Sequence, residues 1–188
     1  MQFSIITKTS ARKKALQYRT NLDDSDKKRV DRNIIDSLKS LREYKNAKTI
    51  YIYVSKANEI DTFELIENAL NNGKKVAVPK CIDKTEMVFY YIDSLSQLEE
   101  GNFGVLEPSD NLIVANDTEN AFMIVPCMAA DIFGYRVGYG KGFYDRYLQK
   151  NQMPTAALCY KNQLYFKILH GRFDYKCNYI ITEDKIFK

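Results

Sequence analysis

Residues 134–148, GYRVGYGKGFYDRYL, hold four of the chain's 8 glycines beside cations and aromatic side chains. The segment follows the apolar run AFMIVPCMA (residues 121–129) and ends within the helix-favouring FYDRYLQK (residues 143–150). An apolar run of this length is typical of a buried parallel strand. The order of strand, glycine loop and helix therefore indicates an α/β unit, in which ligands bind beyond the carboxyl ends of the strands.

Helical and strand patterns alternate along the rest of the chain. The predicted helices are KTSARKKALQYR (residues 8–19), a second helix capped by Asp23 or Asp24, EIDTFELIENALNNGKK (residues 59–75) and FYDRYLQK. In the third of these helices Asp61 and Glu64 match a capping box, and Gly73 is a stop signal. The predicted strands are KTIYIYVS, KVAVPKC, EMVFYYI, AFMIVPCMA, TAALCY and NYIIT. This alternation predicts an α/β domain whose sheet is covered on both faces.

Composition excludes several classes of protein. A chain of 188 residues with 45% hydrophobic residues predicts one soluble domain with a real core. Four separated cysteines without a CxxC pair, and a single histidine, argue against a disulfide framework and a histidine metal cluster. No secretory signal or membrane-length apolar run is present, so we expect reduced thiols and a cytoplasmic protein.

The net charge of +4 is unevenly distributed along the chain. Residues 8–48 hold 13 Lys and Arg against 6 Asp and Glu, so the cationic excess belongs to the N-terminal segment. Such an excess serves nucleic acid, a phosphorylated ligand, or solubility alone.

The glycine loop has the chemistry of a polyphosphate site. Glycines let backbone N–H groups turn toward a ligand, and a helix N-terminus attracts phosphate. Lys141 stands between Gly140 and Gly142, and Arg136 and Arg146 flank the loop. The alternative is a glycine-rich turn with solvated cations, since the spacing is neither GxxxxGK[ST] nor GxGxxG.

Three further residues have two interpretations each. Asp145, in the first turn of the helix after the loop, either complements the helix dipole or helps to hold Mg²⁺. Lys8 and Arg12 are four residues apart and share a helix face. They form either a solvated surface or a second phosphate clamp.

The segment DIFGYRVGYGKGFYDRYL resembles the motif D-x-x-G-x-R-L-G-x-G-x-G-Y-Y-D of the 5-formyltetrahydrofolate cyclo-ligase family. Phe143 stands where the family has the first of the two tyrosines. Further segments match the family in the same order along the chain: KTSAR, YVSKANEIDT, GKKVAVPK, FGVLEPS and IITED. The resemblance covers nearly all 188 residues.

This resemblance implies a single domain over residues 1–188, folded as a three-layer α/β sandwich. Its mostly parallel open sheet would carry helices on both faces. The implied reaction is the ATP-dependent cyclisation of 5-formyltetrahydrofolate to 5,10-methenyltetrahydrofolate. It releases ADP and phosphate, passes through a phosphorylated formyl intermediate and uses Mg²⁺. We expect a cytoplasmic monomer that binds a small-molecule substrate and has no nucleic-acid or membrane partner.

The resemblance also implies roles for individual residues. Lys8 and Arg12 would contact the ATP phosphates. The loop would wrap the nucleotide with Arg136, Val137, Gly138, Tyr139, Gly140, Lys141, Gly142, Phe143 and Tyr144. Lys141 and Arg136 would be the catalytic cations, and Asp145 and Asp174 would hold Mg²⁺. The folate would contact Val54, Glu59, Tyr139, Gly140, Lys141, Gly142 and Phe143.

Other functions were weighed against this interpretation. The basic N-terminal segment would suit a nucleic-acid-binding protein, although no recognition motif is visible. A sugar-phosphate isomerase or an acyl-CoA transferase would need no ATP, and Glu107 in VLEPS is the candidate glutamate nucleophile for the latter. Tyr51 and Tyr53, in the predicted strand KTIYIYVS, are expected to pack in the sheet rather than to stack on a ligand.

Overall fold

The computed structural model describes residues 2–101 and 104–188, so Phe103 of the matched segment FGVLEPS lies outside it. This part of the chain has five α-helices, α1 to α5: Lys8–Thr20, Asp24–Ser40, Arg42–Asn46, Phe63–Asn71 and Phe143–Lys150. Its strands β1 to β13 are Gln2–Ile6, Thr49–Ile52, Lys75–Cys81, Met87–Ile92, Leu98–Glu100, Leu106–Pro108, Ala121–Val125, Ala129–Asp131, Arg136–Val137, Thr155–Leu158, Leu164–Ile168, Tyr179–Ile181 and Ile186–Phe187. None of the helices described here combines the length and the apolar character needed to cross a bilayer.

Seven of the described strands form the central sheet, in the order β13-β12-β10-β7-β2-β3-β4. Its five inner strands are parallel, and the edge strands β13 and β4 are antiparallel to their neighbours. β7 is buried along its whole length, as its apolar sequence predicts. The predicted α/β class with a mostly parallel open sheet is confirmed.

Both faces of the central sheet are covered, and successive side chains of each strand point alternately into the two layers. Ile50 and Ile52 of β2 pack in one cluster with Leu38 of α2 and with side chains of α3 and α4. Tyr51, between them in sequence, points into the opposite cluster with Leu148 of α5. The central sheet is therefore the middle of three layers.

A second sheet lies on the α5 side, and the sequence patterns did not predict it. Its order is β1-β11-β8-β9. Ala130 of β8 and Leu164 of β11 join the cluster that contains Tyr51. The predicted strand AFMIVPCMA extends to Ala129, the first residue of β8, but β7 ends before Pro126, which has no N–H to donate to a ladder. α1 packs on this small sheet through Ala11.

The helix boundaries follow local signals with one exception. Asp23 caps α2, as predicted, by accepting a hydrogen bond from the Ser25 N–H at 2.8 Å. The predicted capping box of Asp61 and Glu64 is wrong, because the N-cap of α4 is Thr62 and its side chain makes no capping bond. Asp61, one residue before the N-cap, instead accepts a hydrogen bond from the Phe63 N–H. α4 ends two residues before Gly73, whose φ of +73° suits glycine.

Candidate active site

A cavity of about 430 Å³ opens at the carboxyl ends of β2, β3 and β7. Tyr53 and Val54 follow β2, Cys81 ends β3 and Pro126 follows β7, and all four residues line the cavity. α1 and the loop between β9 and α5 form the opposite wall. The cavity lies where open α/β sheets bind their ligands.

Of the two arginines that flank the glycine loop, Arg146 does not line this cavity and instead donates to the Thr85 carbonyl at 2.8 Å. All the residues to which the family resemblance gives a role do line it. They are Lys8, Arg12, Val54, Glu59, Arg136, Val137, Gly138, Tyr139, Gly140, Lys141, Gly142, Phe143, Tyr144, Asp145 and Asp174. Their proximity is a property of the structure, and their individual roles remain predictions.

The glycine loop connects β9 to the N-terminus of α5. Gly140 and Gly142 have φ values of +99° and +71°, in the left-handed region that favours glycine. Gly142 is the N-cap of α5, so the N–H groups of the first helical turn have no hydrogen-bond partners within the helix. Lys141, between these two glycines, is exposed. Loop and helix together have the features of an anion-binding site.

The first helix is tied to the cavity by its two predicted cations. Arg12 donates from Nε to the Gly138 carbonyl at 2.8 Å, and an ideal Cβ on Gly140 would lie 3.4 Å from Arg12 Nη2. Lys8 Nζ contacts both carboxylate oxygens of Asp174 at 2.5 Å. Burial alone would raise the pKa of Asp174, but the hydrogen bonds from Lys8 and Gly171 lower it below its usual value. Lys8 and Asp174 therefore form a charged pair in the lining of the cavity.

Arg136 is a buried cation on the cavity wall. It donates from Nη2 to Asp145 Oδ1 at 3.1 Å, and its guanidinium lies 5.9 Å from the Tyr144 ring centroid. Within the described residues its buried Nε has no hydrogen-bond partner. Leaving a buried N–H without a partner is energetically costly.

The predicted metal ligands Asp145 and Asp174 each pair with a cation. Both oxygens of Asp174 accept hydrogen bonds, whereas the bonds to Asp145, from Arg136 and the Tyr175 N–H, fall on Oδ1. The described residues contain no group of three or more His, Cys, Asp or Glu that could hold a metal ion. The donors therefore fit a Mg²⁺ that uses Asp145 and takes its other ligands from phosphate and water.

The cavity lining also combines a buried carboxylate with phenols. Glu59 is 6% exposed, and its Oε2 accepts the Lys56 backbone N–H at 2.8 Å. Burial first, and then the charge of Glu59, raise the pKa values of Tyr53, Tyr139 and Tyr144, so these phenols stay protonated. Such a pocket suits a flat ligand with N–H donors on its edge.

The cavity is also lined by residues that were not part of the predicted site: Tyr53, Lys56, Pro79, Cys81, Met87, Val105, Glu107 and Pro126. The sequence singled out Tyr53 only as a packing residue, and Glu107 only as the nucleophile of an alternative enzyme. The tyrosine and lysine flank predicted residues, and the two prolines lie near strand ends, so proximity to the motifs could have found them. Tyr53 donates to the Ile60 carbonyl, consistent with its expected packing role, yet it also lines the cavity. Glu107 is buried and accepts the Cys81 N–H at 3.2 Å, a contact between β6 and β3 that no local pattern shows.

Comparison with known proteins gives one consistent result. The family model for the 5-formyltetrahydrofolate cyclo-ligase family matches residues 5–183. A probable 5-formyltetrahydrofolate cyclo-ligase of Schizosaccharomyces pombe is 30% identical, over 92% of this chain and 96% of that protein. The 5-formyltetrahydrofolate cyclo-ligase of Escherichia coli is 30% identical over 76% of this chain and 81% of its own length.

Two solved structures share the fold over almost the whole chain. The NMR structure of Aquifex aeolicus 5,10-methenyltetrahydrofolate synthetase aligns with a TM-score of 0.84 at 31% identity, covering 96% of this chain and 92% of that one. A 5,10-methenyltetrahydrofolate synthetase from Mycoplasma pneumoniae aligns with a TM-score of 0.75 at 26% identity, covering 94% and 98%. Family membership and fold thus rest on independent comparisons of sequence and structure.

Proposed function

The chain belongs to the 5-formyltetrahydrofolate cyclo-ligase family, and we propose that it catalyses the ATP-dependent closure of 5-formyltetrahydrofolate to 5,10-methenyltetrahydrofolate. The observation that carries the proposal is the composition of the single cavity described above. Its lining combines a cationic glycine loop, the Lys8–Asp174 pair, the buried Glu59 and the phenols of Tyr53, Tyr139 and Tyr144. Such a cavity has one part for a polyphosphate and one for a flat ring system.

The reaction needs activation because a formamide oxygen is a poor leaving group. ATP supplies a phosphoryl group to the formyl oxygen, and ADP departs. N10 then attacks the formyl carbon, the carbon–oxygen bond breaks, and phosphate and the N10 proton leave. The protein mainly positions these groups and neutralises charge, as in other phosphoryl transfers.

The nucleotide end is assigned to the cations and the glycine loop. Lys8 and Arg12 hold the phosphates from α1, and residues 136–144 wrap them from the other side. Lys141 and Arg136 face the transferring phosphoryl group and stabilise its developing charge. Asp145, and by the family resemblance also Asp174, would hold Mg²⁺, which would further neutralise the charge of the phosphates.

The folate end is assigned to the carboxylate and the aromatic side chains. Glu59 can accept two N–H groups of the pterin edge, and Val54 supplies an apolar contact. Tyr139 and Phe143 face the ring from the loop, with Gly140, Lys141 and Gly142 between them. At Phe143, where the family has tyrosine, the contact with the pterin is made by a ring without a hydroxyl group.

The remaining parts of the proposal concern the setting of the enzyme. We also propose a monomer that acts as a single domain on a small molecule. Lys8 and Arg12 line the cavity, so part of the N-terminal charge has a use other than nucleic-acid binding. The proposed location is the cytoplasm.

The direct test is an assay of ring closure at neutral pH. Protein, MgATP and 5-formyltetrahydrofolate are mixed, and the methenyl chromophore is followed in the near ultraviolet together with ADP. We expect equal amounts of both products, and neither when ATP is replaced by its non-hydrolysable imidodiphosphate analogue. Folded protein that gives no absorbance growth contradicts the proposal, and growth without ATP would favour a different reaction class.

A further inference from the structure

Arg146, in the first turn of α5, flanks the glycine loop, and the proposed function gives it no role. Its guanidinium packs against the backbone of the helix N-cap, because an ideal Cβ on Gly142 would lie 2.7 Å from Arg146 Nη1 and 3.7 Å from its Cζ. Arg146 Cζ also lies 5.4 Å from the centroid of the Phe143 ring, within the range of a cation–π contact. Arg146 therefore contacts two consecutive residues of the cavity lining, although it does not line the cavity itself.

The same guanidinium is anchored on a second segment of the cavity wall. Arg146 Nε donates to the Thr85 carbonyl at 2.8 Å, across 61 positions of the sequence. Thr85 belongs to the turn between β3 and β4, residues 82–86, and the residues on either side of this turn, Cys81 and Met87, line the cavity. Arg146 thus links the glycine loop to the β3–β4 turn.

These contacts are not those expected of a cation that serves stability alone. Arg146 Nη2 is buried and, within residues 2–101 and 104–188, has no hydrogen-bond partner. A buried N–H of this kind lowers stability, since it has lost its hydrogen bonds to water without replacement. The bond to the Thr85 carbonyl is exposed, so water can replace it at small net cost. The contribution of Arg146 to folding is therefore small, and its contacts with the loop need another explanation.

We propose that Arg146 is a positioning residue, which holds the junction of the glycine loop and α5 in the arrangement that the reaction needs. Gly142 directly follows Lys141, the lysine assigned to the transferring phosphoryl group, and Phe143 is assigned to the pterin. A planar guanidinium fixed on Thr85 restricts Gly142 and Phe143 together. Because a displacement of about 1 Å can lower a rate about 10²-fold, such a restraint affects the chemical step. The inference rests on the proposed function for the reaction that is measured.

The test compares turnover with thermal stability in Arg146→Met. The substitution keeps an unbranched side chain and removes the guanidinium. With both substrates saturating, we expect kcat for methenyl formation to fall about tenfold, because the junction is no longer held in one arrangement. The melting temperature should stay within about 4 °C of the wild-type value. Arg146→Lys, which keeps the charge and a donor, should recover part of the lost kcat.

The matched control is Lys150→Met. Lys150 is the second basic residue of α5 that reaches the same turn, with its Nζ 3.6 Å from Glu86 Oε1, but it contacts neither Gly142 nor Phe143 in the cavity lining. Its removal should leave both kcat and the melting temperature near the wild-type values. If Arg146→Met does not fold, Arg146→Gln, which keeps an N–H donor without the charge, takes its place with the same two measurements.

A double variant tests the route through the aromatic ring. The kcat losses of Arg146→Met and Phe143→Leu should not multiply when combined, since both disturb one contact. Multiplied losses overturn the inference. A merely structural Arg146 would lower the melting temperature and leave the kcat of the folded variant within about twofold of wild type, which also overturns it. Wild-type protein without turnover overturns the proposed function and this inference together, whereas active wild type with unaltered kcat in the Arg146 variants overturns the inference alone.

Discussion

At the scale of single residues, the charges of the cavity are arranged in pairs and one exposed lysine stands on the glycine loop. Lys8 pairs with Asp174 and Arg136 with Asp145, at 2.5 and 3.1 Å. The charge of a paired cation is partly neutralised by its partner, and its side chain is held in place. Lys141 is exposed between two glycines with left-handed backbones, so it is free to follow a phosphoryl group at little cost in packing.

We expect Lys141→Ala to lower turnover far more than stability. Loss of one group that stabilises charge in the transition state lowers kcat by about 10²- to 10³-fold. An exposed side chain contributes less than about 0.5 kcal/mol to the free energy of unfolding. The measurements are methenyl absorbance under saturating substrates and thermal unfolding of the same preparation.

Lys150→Ala is the matched control for this prediction. Lys150 is an exposed lysine of the same region, in the last turn of α5, and does not line the cavity. Its removal should leave both turnover and melting temperature near the wild-type values. Parallel losses of activity and stability in Lys141→Ala would identify Lys141 as a structural residue.

At the scale of elements, the turn between β8 and β9 positions Arg136 in the wall of the cavity. The fully buried Asp131 accepts two backbone N–H groups of this turn, including that of Tyr135, at 3.0 Å. Gly134 completes the turn with a φ of +98°, and its ideal Cβ would lie 2.6 Å from the Cys177 carbonyl oxygen. The hairpin thus depends on a glycine for two reasons, backbone conformation and close approach.

A comparison of Gly134→Ala with Gly73→Ala separates the energetic cost of the backbone conformation from that of the close approach. Gly73 also has a positive φ, of +73°, but nothing lies within 4 Å of its ideal Cβ. We expect Gly73→Ala to cost about 1 kcal/mol of backbone strain. Gly134→Ala adds a clash with backbone and should cost about 2–4 kcal/mol. Denaturant unfolding measures both values, and equal losses would show that close approach to Cys177 has no energetic effect.

At the scale of the whole molecule, the largest apolar cluster and the cavity lie at different parts of the central sheet. The face under α2, α3 and α4 buries a large apolar cluster that includes Ile34 and Leu38. The cavity opens at the carboxyl edge, where α1 and the loop before α5 meet the ends of β2, β3 and β7. Tyr53 and Val54 belong to the helix-covered cluster and also line the cavity, so the core supports the site directly.

A core substitution away from the cavity should therefore lower stability and leave the chemistry intact. Leu38 is fully buried and does not line the cavity, so Leu38→Ala is expected to cost about 2–5 kcal/mol in the free energy of unfolding. The kcat of the folded enzyme, assayed well below its melting temperature, stays within about twofold of wild type. Leu16→Ala, at a side chain 51% exposed, is the control and costs less than about 1 kcal/mol. A large fall in kcat without unfolding would mean that the helix layer positions the site.

Local patterns in the sequence determined much of this structure. The predicted strand KVAVPKC and helix FYDRYLQK match β3 and α5 residue for residue. Their signals are short-range: alternation or apolarity over a few residues, and a glycine at the helix boundary. The glycine loop was found in the same way, and family resemblance added Lys8, Arg12, Val54, Glu59 and Asp174, all of which line the cavity.

What the tertiary structure alone decided is which distant segments meet. The second sheet pairs β1 with β11 from opposite ends of the chain, and the Lys8–Asp174 contact spans 166 residues. Glu107 lines the cavity from β6, and no local pattern in the sequence indicates that position. Propensity and capping act between neighbours in sequence, whereas these contacts depend on which surfaces remain to be covered once the central sheet has formed. The sequence by itself therefore determined six of the seven strands of the central sheet, four of the five described helices and the glycine loop. Packing decided the second sheet and which charges face one another across the cavity.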